Sequence, residues 1–248
     1  MKAYAKTDVG AQRNTNQDFV YFSLEPVGKL PNVFIVADGM GGHKAGDYAS
    51  RYSVETFLDS VRNSAQKDTI SILQEGISVA NESLIARAKE SIEREGMGTT
   101  FVVTTVIDHS LYIANVGDSR LYLIGSDSIT QVTRDHSLVE FMIDNGEIDR
   151  KDARLHEKKN IITKAIGADT EVAPDIFEVE YDKFDKVLLC SDGLSNMMED
   201  DEIMRIANGS GSVEERVLAL IDKANENGGK DNISVVLLEP GDEEVTVC

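Results

Sequence analysis

Four aspartates in this chain share one local grammar. Val33-Phe34-Ile35-Val36-Ala37 runs into Asp38-Gly39-Met40-Gly41-Gly42, and Leu111-Tyr112-Ile113-Ala114-Asn115-Val116 runs into Gly117-Asp118-Ser119-Arg120. Val187-Leu188-Leu189-Cys190 runs into Ser191-Asp192-Gly193, and Gly228-Gly229-Lys230-Asp231-Asn232 opens the apolar run from Ile233 to Leu238. Each puts a carboxylate beside Gly or Asn at the end of a buried strand, where glycine lets backbone come close to a ligand. One Asp-Gly pair is only a turn former. Four on apolar strands imply more. Carboxylates that converge on one pocket raise each other's pKa and destabilise the fold unless a cation lies among them. Hard divalent ions with oxygen ligands, Mn²⁺ or Mg²⁺, are the natural counter-charge. Zinc is disfavoured, because no His or Cys set accompanies the aspartates.

Near the start, Arg13-Asn14-Thr15-Asn16-Gln17-Asp18 leads into a strand. Its arginine has the fork that fits a pair of phosphate oxygens, and Asp18 adds a fifth carboxylate. Of the four histidines, His109, His136 and His156 read as surface or hydrogen-bonded residues, while His43 stands five residues past Asp38. Other chemistries lack their signatures. Lys44 replaces the last glycine of a dinucleotide fingerprint, no G-x-x-x-x-G-K-[ST] run occurs, and neither Ser119 nor Ser191 sits in G-x-S-x-G.

The elements that must carry these residues are legible as patterns. Strands are expected near Ala3–Thr7, Asp18–Leu24, Val33–Ala37, Thr99–Ile107, Leu111–Val116, Ser119–Ile124, Ile129–Thr133, Asp175–Glu180, Val187–Cys190 and Ile233–Leu238. Helical spacing links Val54, Phe57, Leu58 and Val61, then Ile70 through Ala88, then Val213, Val217, Leu220 and Ala224. Two consecutive helices followed by a run of strands favour antiparallel meanders with helices laid on a sheet face. Residues 137–162 are charged and weakly periodic, so they read as an irregular surface insertion, a flap.

The 248 residues suffice for a sizeable core, and four prolines with no linker-like stretch favour one domain over residues 1–240 with a short tail, 241–248. No apolar run approaches the roughly 20 residues needed to cross a bilayer. The first residues lack an apolar signal segment, and two distant cysteines suit a reducing cytoplasm. The net charge of −19 repels nucleic acids and anionic membranes, so neither is expected as a partner.

Seven motifs occur in order: Arg13 to Asp18, Asp38 to His43, Gly98-Thr99-Thr100, Gly117 to Arg120, Asp135-His136-Ser137, Ser191 to Leu194 and Gly229 to Ile233. Together they span nearly the whole chain, and in this order it resembles the bacterial type-2C (PPM family) metal-dependent serine/threonine protein phosphatases. The resemblance implies an α+β fold, an α-β-β-α four-layer sandwich of two antiparallel sheets flanked by helices, with a flap. It implies that Asp38 bridges two Mn²⁺ or Mg²⁺ ions, that the Gly39 carbonyl binds one, and that Asp192 and Asp231 hold the other. Asp18 would support the site directly or through water, and Asp118 with Asp192 would hold a third ion. Arg13 would grip the substrate phosphate, and His43 would assist proton transfer. Met40 stands where many eukaryotic relatives have a histidine, and Asn196 where some have another aspartate. The implied reaction is hydrolysis of phosphoserine and phosphothreonine by water bridging the ions, opposing bacterial Ser/Thr kinases, with the enzyme a monomer. A catalytically dead phosphoprotein-binding relative is the competing reading, and an intact ligand set argues against it.

Overall fold

The computed structural model describes residues 1–41, 45–153, 156–182 and 185–241. His43 and the tail from residue 242 lie outside the described residues. The strands are β1 (Lys2–Asp8), β2 (Asp18–Ser23), β3 (Val33–Met40), β4 (Gly98–Thr99), β5 (Phe101–Ile107), β6 (Ser110–Val116), β7 (Arg120–Ile124), β8 (Ile129–Gln131), β9 (Asp175–Glu180), β10 (Lys186–Cys190) and β11 (Ile233–Glu239). The helices are α1 (Ala45–Asn63), α2 (Thr69–Ala88), α3 (Leu138–Asp144), α4 (Arg150–Ala153), α5 (Asp192–Ser195), α6 (Asp200–Ala207) and α7 (Val213–Glu226).

Two antiparallel sheets form, in the orders β1-β11-β10-β7-β8 and β2-β3-β5-β6-β9, with β4 paired to β3. Strand periodicity then builds the layers. On β3, Val33, Ile35 and Ala37 face α1 and α2, while Phe34 and Val36 face the opposite sheet. On β10 and β11, Leu188, Cys190, Val235 and Leu237 face the C-terminal helices, while Val187, Leu189, Val236 and Leu238 fill the space between sheets. These strands are buried on both faces, which is why they read as continuous apolar runs. Burial of each large side chain contributes about 1.5–3 kcal/mol. The result is the helix-sheet-sheet-helix sandwich.

Local chemistry sets the helices. Val54, Phe57, Leu58 and Val61 form the buried stripe of α1. Gly76 lets α2 approach it, since a Cβ there would lie 2.6 Å from the Phe57 ring. Asp68 caps α2 by accepting from the Ser71 N–H at 2.8 Å, and Ser212 with Glu215 forms a capping box on α7. Among the described residues no helix is long and apolar enough to cross a membrane.

Three expectations are corrected. β3 does not stop at Ala37 but runs through Asp38 to Met40, because β4 pairs with Gly39 and Met40. The strand expected over Thr99–Ile107 breaks at Thr100, where the Thr99 hydroxyl and the Thr100 N–H both donate to Asp38 O at 2.9 Å. The flap is not irregular. It carries α3 and α4, with Ser137 Oγ accepting from the Glu140 N–H at 3.2 Å and a Ser137–Ile162 bridge closing its base. A seven-residue helix that buries only Val139 and Glu140 is too short for periodicity to reveal.

Candidate metal centre

The five aspartates meet where the strand ends of the two sheets converge. Asp18 opens β2 directly opposite Asp38 on β3. β6 leads into Gly117-Asp118, β10 into Ser191-Asp192, and β11 starts two residues after Asp231. Backbone and hydroxyl groups hold these ends. The Asp38 N–H donates to Thr100 Oγ1 at 2.9 Å, and that hydroxyl lies 2.7 Å from Ser119 Oγ. Ser191 Oγ donates to Asp18 Oδ2 at 2.8 Å and accepts from the Ser234 N–H at 3.0 Å. Asn232 joins two loops to β11: its Oδ1 accepts from the Gln17 N–H at 2.8 Å, and its Nδ2 donates to Val9 O and Thr15 O, both at 2.9 Å.

The electrostatics are those of crowded anions. Burial pushes the Asp18 carboxyl up to about 7, with repulsion from Asp192 and Asp231 added and the hydroxyls of Ser234 and Ser191 opposing. Asp192 is pushed up to about 6, by burial first and then by Asp231, with Arg120 and Lys159 opposing. Asp38 lies well above the carboxylate range through burial and the charges of Asp18, Asp192, Asp118 and Asp231. Asp118, 9% exposed, is raised by burial and then by Asp192 and Asp135, against the pull of Arg120. Asp38 and Asp192 thus each interact with all four others.

Two oxygens identify what is missing from this balance. Asp18 Oδ1 and Asp192 Oδ1 are buried with no hydrogen-bond partner among the described residues, a costly condition for a carboxylate. All-oxygen donors with net negative charge fit hard divalent cations. Among the described residues no three His, Cys, Asp or Glu side chains close around a single point. Carboxylate oxygens of this kind suit ions that complete their shell with water, as Mg²⁺ does.

Arg13 stands half-exposed at the rim, its Nη2 donating to Asp231 Oδ2 at 2.8 Å. Asp231 Oδ1 accepts from the Asn232 N–H at 2.9 Å. Gly39 is packed so closely that a Cβ would meet Gly46 O at 2.0 Å and Gln17 O at 2.5 Å. Gly39→Ala is expected to cost about 1–3 kcal/mol, read as a fall in thermal midpoint, because both obstacles are backbone.

Some contributions carried no signal in the sequence, although the resemblance marks the position of Asn196 itself. Asn196 Nδ2 donates to Asp192 Oδ2 at 2.9 Å, and Asn196 Oδ1 accepts from the flap's Lys159 Nζ at 3.2 Å. Lys159 and Asn196 are 37 positions apart, and nothing local marks Lys159 or pairs it with Asn196. Ser191 lies inside a quoted motif, but only the fold reveals that its hydroxyl serves Asp18. A cleft of about 1050 Å³ runs from Asp118, Asp192 and Asn196 to Lys159 and Arg150 of the flap.

Fold and site together define a metal-dependent hydrolase architecture, and comparison with known proteins gives it a family. The family model described as protein phosphatase 2C matches residues 11–233. The chain belongs to that family. It is 40% identical over 243 residues to the serine/threonine phosphatase stp of Listeria innocua, covering 96% of each chain. Its structure is similar to that of the serine/threonine phosphatase Stp1 from Staphylococcus aureus, with a TM-score of 0.89 at 36% identity, covering 95% of this chain and 93% of that one. It is also similar to the catalytic domain of the serine/threonine protein phosphatase PstP in complex with two manganese ions, with a TM-score of 0.82 at 31% identity over 95% of this chain and 96% of that one.

Proposed function

We propose that this site hydrolyses phosphoserine and phosphothreonine on proteins with the help of divalent metal ions. The observation that carries the reading is the convergence of five carboxylates, two with buried, unpartnered oxygens, at one end of a protein phosphatase 2C fold. Asp38, Asp192 and Asp231 would hold two Mn²⁺ or Mg²⁺ ions with the Gly39 carbonyl. Asp18 would support them, and Asp118 with Asp192 would hold a third. When bound, such ions supply Lewis-acid charge and make a water acidic enough to be a nucleophile near neutral pH.

The chain's own residues do the rest. Arg13 offers guanidinium N–H groups to the phosphoryl oxygens, its tether to Asp231 holding it over the cluster. Ser191 and Asn232 fix the ends of β10 and β11, so the carboxylates are in place before substrate arrives. His43, outside the described residues, is the candidate for proton transfer. The cleft beneath the flap has room for the chain on either side of a phosphoresidue. Residues 1–240 act as one catalytic domain with residues 137–162 as flap and 241–248 as tail, supported by an inter-sheet core drawn from both ends of the chain.

The enzyme works as a cytoplasmic monomer on phosphoproteins made by Ser/Thr kinases. A charge of −19 supports its acting away from nucleic acid and anionic membrane.

A phosphopeptide panel tests the reading. Hydrolysis is expected with Mn²⁺ or Mg²⁺ and none with EDTA; turnover that persists in EDTA would sink it. Arg13→Ala should lower kcat/KM roughly 10–100-fold, the worth of one hydrogen bond to a charged group. Steady-state kinetics on one phosphothreonine peptide checks this.

A further inference from the structure

The motif Asp135-His136-Ser137 holds no place in the proposed reaction, yet its first two residues each grip a different neighbour of Asp118 and its third caps the flap. Asp135 takes Arg120, two residues past Asp118: Arg120 Nε donates to Oδ1 at 3.0 Å and Nη2 to Oδ2 at 2.7 Å. His136 takes Gly117, one residue before Asp118, from both sides. Its N–H donates to Gly117 O at 2.9 Å, and the Gly117 N–H donates to His136 Nδ1 at 3.0 Å. Asn115 Nδ2 adds a 3.3 Å bond to the same carbonyl. Ser137 caps α3 of the flap, and His136 O accepts from the Thr163 N–H at 2.8 Å where the flap's two ends meet. One residue therefore touches both the Asp118 loop and the flap base.

The ring is held in one chemical form. A backbone N–H can only donate, so Nδ1 must accept, and the neutral ring carries its hydrogen on Nε2. That position faces Asp175 Oδ2 at 3.1 Å. Lys164 Nζ also lies 3.2 Å from it, a neighbour that disfavours a charged ring but offers Nε2–H no acceptor. The Gly117 contact at Nδ1 is therefore what sets the tautomer. Asp175 Oδ1 in turn accepts from Lys164 Nζ at 3.0 Å, and Lys164 also donates to Ala173 O at 3.1 Å. The side chain is only 11% exposed, and burial holds it below the usual histidine range, which keeps Nδ1 an acceptor. The loop it holds has little slack. Gly117 has φ of 105°, and a Cβ there would lie 2.6 Å from the Thr100 side chain, whose hydroxyl receives the Asp38 N–H.

From this geometry we propose that His136 is a positioning residue: it fixes the Asp118 carboxylate against the aspartate cluster and ties that placement to the base of the flap. The inference rests on Asp118 being an ion-holding group. It does not need His136 to touch substrate. The arrangement is that of an outer partner orienting a ligand, here through the backbone next to it.

Two substitutions separate the ring's two contacts. In His136→Asn, Oδ1 replaces Nδ1 and keeps an acceptor for the Gly117 N–H. In His136→Gln, the amide reaches the Nε2 position and leaves that N–H without one. Both variants and Asp118→Asn, as full chains, would be titrated with Mn²⁺ alone by calorimetry. Amide hydrogen exchange at Gly117 and over residues 161–164 would be followed in the metal-free proteins. His136→Gln should weaken the weakest Mn²⁺ event about 10–100-fold and speed exchange at both segments, while His136→Asn stays near the parent protein. Exchange at Gly117 unchanged in His136→Gln overturns the proposal. So does an unchanged Mn²⁺ titration in that variant when Asp118→Asn weakens the same event. If Asp118→Asn leaves the titration intact, the ion-holding role of Asp118 fails instead, and the exchange data alone decide whether His136 clasps the loop. Should His136→Gln not fold, a loss in His136→Asn as large as that in Asp118→Asn overturns the proposal, and a parent-like titration supports it.

Discussion

Replacing Asp38 with asparagine is expected to abolish phosphatase activity and, at the same time, to make the metal-free protein more stable. Asp38 lies within the field of every other aspartate in the cluster and at the meeting point of the two sheets, opposite Asp18. Under the proposed function its removal takes away the carboxylate that would serve both ions. The loss in kcat/KM should exceed the ~10²–10³-fold that one electrostatic donor is worth, because a whole ion would be misplaced. Stability should move the other way. In EDTA the cluster is a set of crowded carboxyls that the folded chain must keep protonated against their ordinary titration, and an isosteric amide removes one such cost without opening a cavity. A gain of about 1 kcal/mol would raise the thermal midpoint by roughly 2–4 °C for a chain of this size. Opposite signs in the two assays are the signature of a group kept for function against stability. Phosphopeptide kinetics with Mn²⁺ and a thermal melt in EDTA check both halves. Full activity in Asp38→Asn would end the two-ion reading, and a lower midpoint in EDTA would show that Asp38 is structural.

The carboxylate cluster was legible in the sequence because each aspartate ends or opens a strand whose residues are apolar on both faces. Val33 to Ala37 and Ile233 to Leu238 are such strands, buried between helices and the facing sheet. What the local pattern could not carry was long-range order. β1 pairs with β11 from Lys2–Glu239 to Asp8–Ile233, and no periodicity records that the two ends of a chain are neighbours. Nor could it distinguish β4 from β5, since the break at Thr100 depends on two hydrogen bonds to Asp38 O. α6 was missed for a different reason: it buries only Ile203 and Ala207, too few contacts for a helical period. The same limit hid the supporting shell. The hydroxyl of Ser191 and the amide of Asn232 are ordinary turn chemistry until Asp18 and Gln17 arrive from more than 170 positions away. The motifs marked where the ligands are, and only the fold explains how they are aimed.

Stripped of metal, the protein should lose stability as pH rises, and adding Mn²⁺ should reverse that trend. Asp18 and Asp192 ordinarily titrate near 3.8, but in the folded chain they are pushed up to about 7 and about 6. Between the two sets of values the folded state binds protons that the unfolded chain has already released. Its advantage is therefore fully present below about pH 4 and is lost as pH climbs through 6 and 7. Each carboxyl contributes at most about 1.4 kcal/mol per pH unit across its window, and less where neighbours share a proton. Asp38 and Asp118 are raised in the same direction and add to the slope. Divalent ions invert it. They bind the ionised carboxylates, so protons compete with metal and the holo protein should gain stability from pH 5 to pH 8. Urea midpoints at pH 5 and pH 8, in EDTA and in excess Mn²⁺, make a four-point test. The slopes should have opposite signs, and Asp18→Asn should flatten the EDTA slope while leaving the fold intact. Parallel slopes with and without Mn²⁺ would mean that the raised carboxyls are not the groups the metal engages.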